Sequence, residues 1–187
     1  IGIDKNIMDQ IINGECELKD SYEAIRKMGS KYPIDISDLY LIEDDCENAV
    51  KIMRAEESYS TNRIYKRINK NKKYTPYYEY RDTAMSNLGP YKPEWIKELR
   101  NVDNSDPYNP EVVYNNGHFM HQTTLFVGPV NFYWEVNEKK FCREMNTGDS
   151  NYITPYWPHS FTNRDPNQEA YILAITFGGD VRRAQKE

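Results

Sequence analysis

The sequence predicts an all-β barrel of the jelly-roll kind, preceded by a small α-helical, helix-turn-helix-like module. About the first 58 positions read as helical from the spacing of their apolar residues. From Tyr74 onward, short β-branched and aromatic runs alternate with Gly, Pro and Asn turn signals. The region from Tyr65 to Tyr80 is also rich in tyrosine, which suits half-buried strands or a polar pocket lined with hydroxyls. The division is therefore 1–73 for the helical module and linker and 74–187 for the barrel.

Ile7, Met8, Ile11 and Ile12 recur at helical spacing, with Gly14 as a stop signal. Ser21 to Met28 forms a second helix ending at Gly29. Asp45 to Glu57 forms a third, after a turn at Ile36-Ser37-Asp38, with Asp44 or Asp45 as N-cap. The expected strands are Tyr74 to Arg81, Val112 to Tyr114, Phe119 to Val127, Asn131 to Val136, Lys140 to Glu144, Tyr152 to Thr154 and Ala170 to Phe177. Pro93 to Arg100 reads as a helical interruption with Pro in its first turn.

A net charge of -5 and a pI near 5.4 argue against a general basic surface for nucleic acid. The local basic run Arg63 to Lys73 is read first as a solvated turn or strand edge and second as an anion-attracting rim. The cysteines, Cys16, Cys46 and Cys142, form no CxxC pair and suit a reducing cytoplasm. No run of about 18 apolar residues exists, so no membrane span is expected. The chain opens on Ile1 with no charged-then-apolar leader, and so reads as a portion or processed form of a protein.

All three histidines, His118, His121 and His159, lie in the β region. On a strand, His118, Met120 and Gln122 share one face, whereas Phe119 and His121 share the other. His118 and Gln122 then project together, and a second strand brings in His159. The result is a three-donor facial site with open positions, as in non-heme iron oxygenases, except that a neutral amide replaces the usual carboxylate. Such a centre keeps more net positive charge and favours anionic chelating substrates. Asn115 lies three residues before His118, where its amide can donate near the metal. Arg81 could bind an anion bidentately or could pair with Asp82 or Glu79 at a strand end. Tyr91 and Lys92, after the Gly89-Pro90 turn, are weaker candidates.

The string GDSNYITPYWPHSFTN (Gly148 to Asn163) resembles the second cupin motif, and the segment ending at Gly128 resembles a degenerate first motif. Together with YYEYRDTA (Tyr77 to Ala84) and NNGHFMHQTTLFVGPVNFYWE (Asn115 to Glu135), it resembles the iron-dependent phosphonate oxygenases. That family comprises methylphosphonate synthase, hydroxyethylphosphonate dioxygenase and, more distantly, hydroxypropylphosphonate epoxidase. The resemblance implies Fe(II) held by His118, Gln122 and His159, with Asn115 and, more loosely, Arg81 against the phosphonate. The dioxygenases place a glutamate six residues before the second histidine, where this chain has Ile153, so the synthase is the nearer match. The implied reaction cleaves the C–C bond of 2-hydroxyethylphosphonate with O2 to give methylphosphonate. The dioxygenase alternative gives hydroxymethylphosphonate and formate. The resemblance also implies a homo-oligomer and a lysine from a neighbouring subunit that has no assigned counterpart here.

Two other classes make different predictions. A helix-turn-helix regulator with a ligand-sensing cupin would bind duplex DNA with steep salt dependence. The acidic balance and the lack of a basic helix count against it, and no nucleic-acid or membrane partner is expected. A metal-free cupin would take up no iron, yet no ligand is missing.

Overall fold

The computed structural model describes residues 2–32, 45–87, 89 and 91–178. The chain divides into two compact units, one containing the first two helices and the other spanning Asp44–Gly179. The first unit holds α1 (Lys5–Ile12) and α2 (Leu18–Lys31). Asp4 caps α1 by accepting from the Asn6 amide at 2.8 Å, and Gly14 follows with φ +71°. A glycine costs a helix only about 1 kcal/mol, and α2 continues through Gly29 to Lys31 instead of ending there. The expected turn at Ile36-Ser37-Asp38 lies outside the described residues.

The second unit contains α3 (Ala55–Ser60) and nine strands. These are β1 (Arg63–Ile68), β2 (Tyr74–Asp82), β3 (Tyr91–Glu98), β4 (His121–Val127), β5 (Val130–Val136), β6 (Lys139–Met145), β7 (Ser150–Ile153), β8 (His159–Asn163) and β9 (Tyr171–Phe177). They form a six-stranded sheet in the order β1-β2-β3-β9-β4-β7 and a three-stranded sheet in the order β6-β5-β8. Neighbouring strands are antiparallel throughout, and the last strand inserts between β3 and β4. This is the expected jelly roll. Tyr77, Phe126, Phe132, Phe161 and Ile172 form much of its core, with the Phe132 and Phe161 rings stacked at 5.2 Å.

Other expectations also need correction. Pro93 to Arg100 is not a helix but most of the central strand β3, laddered to β2 on one side and β9 on the other. Burial alternates along it, with Ile96 and Glu98 inward, so pairing on both edges overrides its helical spacing. Asp45 to Glu57 is helical only from Ala55. Asn48 and Ala49 take positive φ in a tight turn between Glu47 and Val50, which no helix allows. Asp45 instead accepts from the Ser86 hydroxyl and the Asn87 amide and pairs with Lys51, which holds its carboxyl at about 2. Finally, the barrel begins before Tyr74. The basic run Arg63–Ile68 is strand β1, pinned by Arg63 to Asp82 and Glu94 at 2.8 Å each.

Val112 to Tyr114 is not a regular strand, and β8 was not anticipated. Among the described residues, no helix is long and apolar enough to cross a membrane.

Candidate metal centre

One end of the inner face of the large sheet opens into a cavity of about 70 Å³. Its polar lining includes Arg67, Tyr80, Asn115, His118, Gln122 and His159. Gln122 points inward from β4, and His159 begins β8 on the opposing sheet with 4% exposure. His118 arrives differently from the expectation. Strand β4 starts only at His121, so His118 reaches the site from the preceding loop and not from a shared strand face. Gly117 makes that loop possible. At φ +74° an added Cβ would lie 2.4 Å from the Tyr156 carbonyl oxygen, and the Tyr156 amide donates to the His118 carbonyl at 2.9 Å.

Backbone carbonyls set both histidine tautomers. His118 Nδ1 lies 2.7 Å from the Met120 oxygen, and His159 Nδ1 lies 2.9 Å from the Trp157 oxygen. A carbonyl only accepts, so each Nδ1 carries a proton and each Nε2 turns a lone pair to the cavity. The two rings stand 4.9 Å apart and nearly perpendicular. Burial, reinforced by neighbouring His118 and opposed by the Trp157 bond, lowers His159 to about 4, which keeps it neutral.

Gln122 completes the set. Its Nε2 donates to Thr124 Oγ1 at 2.9 Å, and its Oε1 lies 3.1 Å from His118 Nε2. With Nδ1 of His118 donating, Nε2 and Oε1 are the two acceptor atoms left facing the cavity, and together they could serve a cation. The donors thus fit a divalent metal of borderline hardness, with two imidazole nitrogens and one amide oxygen. Among the described residues no three His, Cys, Asp or Glu side chains cluster to hold a metal, so a metal here would need the Gln122 amide as its third protein donor.

Asn115 borders the centre. Its Oδ1 accepts from the backbone amides of Gly117 and His159, each at 2.9 Å, and its Nδ2 lies 3.0 Å from His159 Nε2. A metal on that nitrogen frees Nδ2 to donate to a bound anion. Ile153 pairs with Gln122 across β4 and β7 and is buried, so an apolar side chain occupies the place beside the third donor.

The remaining site candidates lie elsewhere. Arg81 is buried, but strand alternation puts Tyr78 and Tyr80 on the cavity side of β2 and Arg81 on the other. There its guanidinium sits 3.9 Å over the Tyr59 ring, with Nε 3.5 Å from Glu79, closer to the ion-pair reading than to an anchor in this cavity. Tyr91 begins β3 opposite Phe177, is half exposed and does not line the cavity. Lys92 pairs with Glu94. His121 faces outward, stacked on Phe177 and bonded to the Tyr152 hydroxyl.

Among the described residues the cation lining the cavity is Arg67, whose buried Nε, like that of Arg81 outside it, has no hydrogen-bond partner among them. Its signal was the basic run itself, read as alternating strand positions instead of as a charged turn. Tyr80 shares the cavity, and burial raises its phenol pKa, keeping it a neutral donor.

No family model matches the chain. It is 46% identical over 189 residues to methylphosphonate synthase from Nitrosopumilus maritimus (strain SCM1), covering 98% of this chain and 40% of that protein. It also resembles the dioxygenase HEPD of Streptomyces albus, solved with 2-hydroxyethylphosphonate and Fe(II) bound, at 39% identity and TM-score 0.71. That match covers 99% of this chain and 41% of the other. Hydroxypropylphosphonic acid epoxidase from S. wedmorenis, at 22% identity and TM-score 0.53 over 88% of this chain and 76% of its own, shares the fold. The chain thus spans about two-fifths of the length of the first two relatives. Over the region that it spans, this chain is similar in sequence to methylphosphonate synthase and in sequence and fold to the dioxygenase HEPD.

Proposed function

We propose that this chain carries the Fe(II) site of an oxygenase that cleaves the C–C bond of 2-hydroxyethylphosphonate with O2 and forms methylphosphonate. The observation that carries this reading is the donor set, His118, Gln122 and His159, with Ile153 beside Gln122 and Arg67 in the same cavity. Iron(II), when bound there, supplies a Lewis-acid centre for chelating oxygens and for O2. The chain's own groups do the rest. Arg67 and the freed Asn115 Nδ2 bind phosphonate oxygens, and Tyr80 offers a neutral hydroxyl. Phe161 and Ile96 form apolar walls. The substrate provides all the electrons, so no external reductant is required.

The test is anaerobic Fe(II) loading, addition of 2-hydroxyethylphosphonate and O2, and phosphorus NMR of the products. Methylphosphonate is the expected signal. Full iron occupancy without turnover would sink the enzyme reading. Hydroxymethylphosphonate would move the assignment to the dioxygenase reaction, which the likeness to the Streptomyces albus enzyme keeps as the second reading.

A further inference from the structure

A carboxylate can bind a metal through either oxygen, but a carboxamide has only one productive end. Gln122 must therefore be told which way to face, and its two ends are nearly equal in size. We infer that Thr124 and Asn151 form a positioning chain that fixes the Gln122 amide with its oxygen toward the metal. This rests on the metal reading above and deepens it.

Thr124 is fully buried on β4, and its Oγ1 accepts from Gln122 Nε2 at 2.9 Å. A hydroxyl alone does not fix the orientation, because it could equally donate to the oxygen of a flipped amide. Direction comes from the next group. Asn151 lies opposite Thr124 in the β4–β7 register, and both ends of its buried amide lack a partner among the described residues. Directly opposed residues bring their Cβ atoms to about 4.5–5.5 Å, so side-chain rotation connects the two. The chain requires the Asn151 amide to turn Oδ1, and not Nδ2, to the hydroxyl; Asn151 then accepts the Thr124 proton, and Thr124 Oγ1 can only accept. Gln122 must then present Nε2 to it, and Oε1 is left for the metal. Enzymes with a carboxylate in this role have no need for such a chain.

The experiment compares anaerobic Fe(II) and Co(II) titrations of the whole protein, together with the visible Co(II) spectrum. Thr124→Val, which keeps the shape and removes the hydroxyl, is expected to weaken metal binding about 10–100-fold and shift the spectrum. Thr124→Ser restores both. Asn151→Leu gives a smaller loss in the same direction. In a Gln122→Glu background Thr124→Val changes affinity little, because either carboxylate oxygen serves, so the two substitutions are strongly coupled. Equal metal binding by Thr124→Val and wild type overturns the positioning role. So does an undiminished Thr124→Val loss in the Gln122→Glu background, which would mark packing as the cause. A wild-type protein that takes up neither metal overturns the metal reading and this inference with it.

Discussion

The two faces of the large sheet carry the same residue types in opposite states. On the outer face, His121 is stacked on Phe177 and bonded to Tyr152, and Arg81 rests on Tyr59 beside Glu79. On the cavity side, His118 reaches in from the loop before β4 to 3.1 Å from the Gln122 oxygen, and Arg67 lines the same cavity. Among the described residues both arginines carry a buried Nε without a hydrogen-bond partner, but Arg81 has the Glu79 carboxylate and the Tyr59 ring beside it, whereas Arg67 faces the cavity. Residue type therefore says little, and the face on which a residue sits decides its role.

The contrast can be broken by paired substitutions. The largest effect is expected from the histidines: His159→Ala reduces Fe(II) uptake below detection in an anaerobic titration, whereas His121→Ala leaves it near wild type. The arginines come next. Arg67→Met removes a charged hydrogen-bonding partner worth about 1.5–3 kcal/mol and so raises KM for the phosphonate about 10–100-fold with little change in Tm. Arg81→Met does the reverse. It leaves KM unchanged and lowers stability by about 1 kcal/mol through the lost cation–π contact. A raised KM in Arg81→Met, with Arg67→Met unaffected, would invert the two faces.

Two buried inner-face groups are expected to tilt the pH dependence of the metal-free protein in opposite senses. His159 falls from an ordinary 6.5 to about 4, so below 6.5 the unfolded chain binds the proton more readily. Its contribution, about 3 kcal/mol, is complete above pH 6.5 and is lost as pH falls toward 4. Thermal melts should show Tm dropping across that window, and His159→Gln should flatten the drop. Glu98 is buried two residues from Ile96 on the same face, and its carboxyl oxygens have no partner among the described residues. Burial raises its pKa well above the usual value, so the folded state holds the proton and stability declines as pH rises above 4.5. Glu98→Gln should remove that decline, read in melts between pH 5 and 8.

Much of the site was legible because its signals are local. Two histidines, an amide four residues after the first and the GDSNYITPYWPHSF string are fixed by chain order, and the structure brings His118, Gln122, His159 and Asn115 around one cavity. The illegible part is non-local. Arg81, ending an aromatic strand, suited an anion anchor and a strand-end ion pair equally, and one step of alternation points it away from the cavity to Glu79. Arg67 was hidden in a run that resembles a solvated turn until β1 pairs with β2. Likewise PEWIKELR carries a good helical pattern and becomes a strand only because two neighbours ladder to it.

By itself, the sequence determined the kinds of donor available, the neutral amide four residues after the first histidine, the apolar Ile153 and the jelly-roll class, since alternation, turn residues and motif spacing are written along the chain. Only the tertiary structure decided which arginine shares a cavity with the histidines, how His118 reaches it from a loop hinged on Gly117, and which way the Gln122 amide turns. Those outcomes depend on strand register and cross-sheet contact, where a shift of one residue reverses the face a side chain occupies.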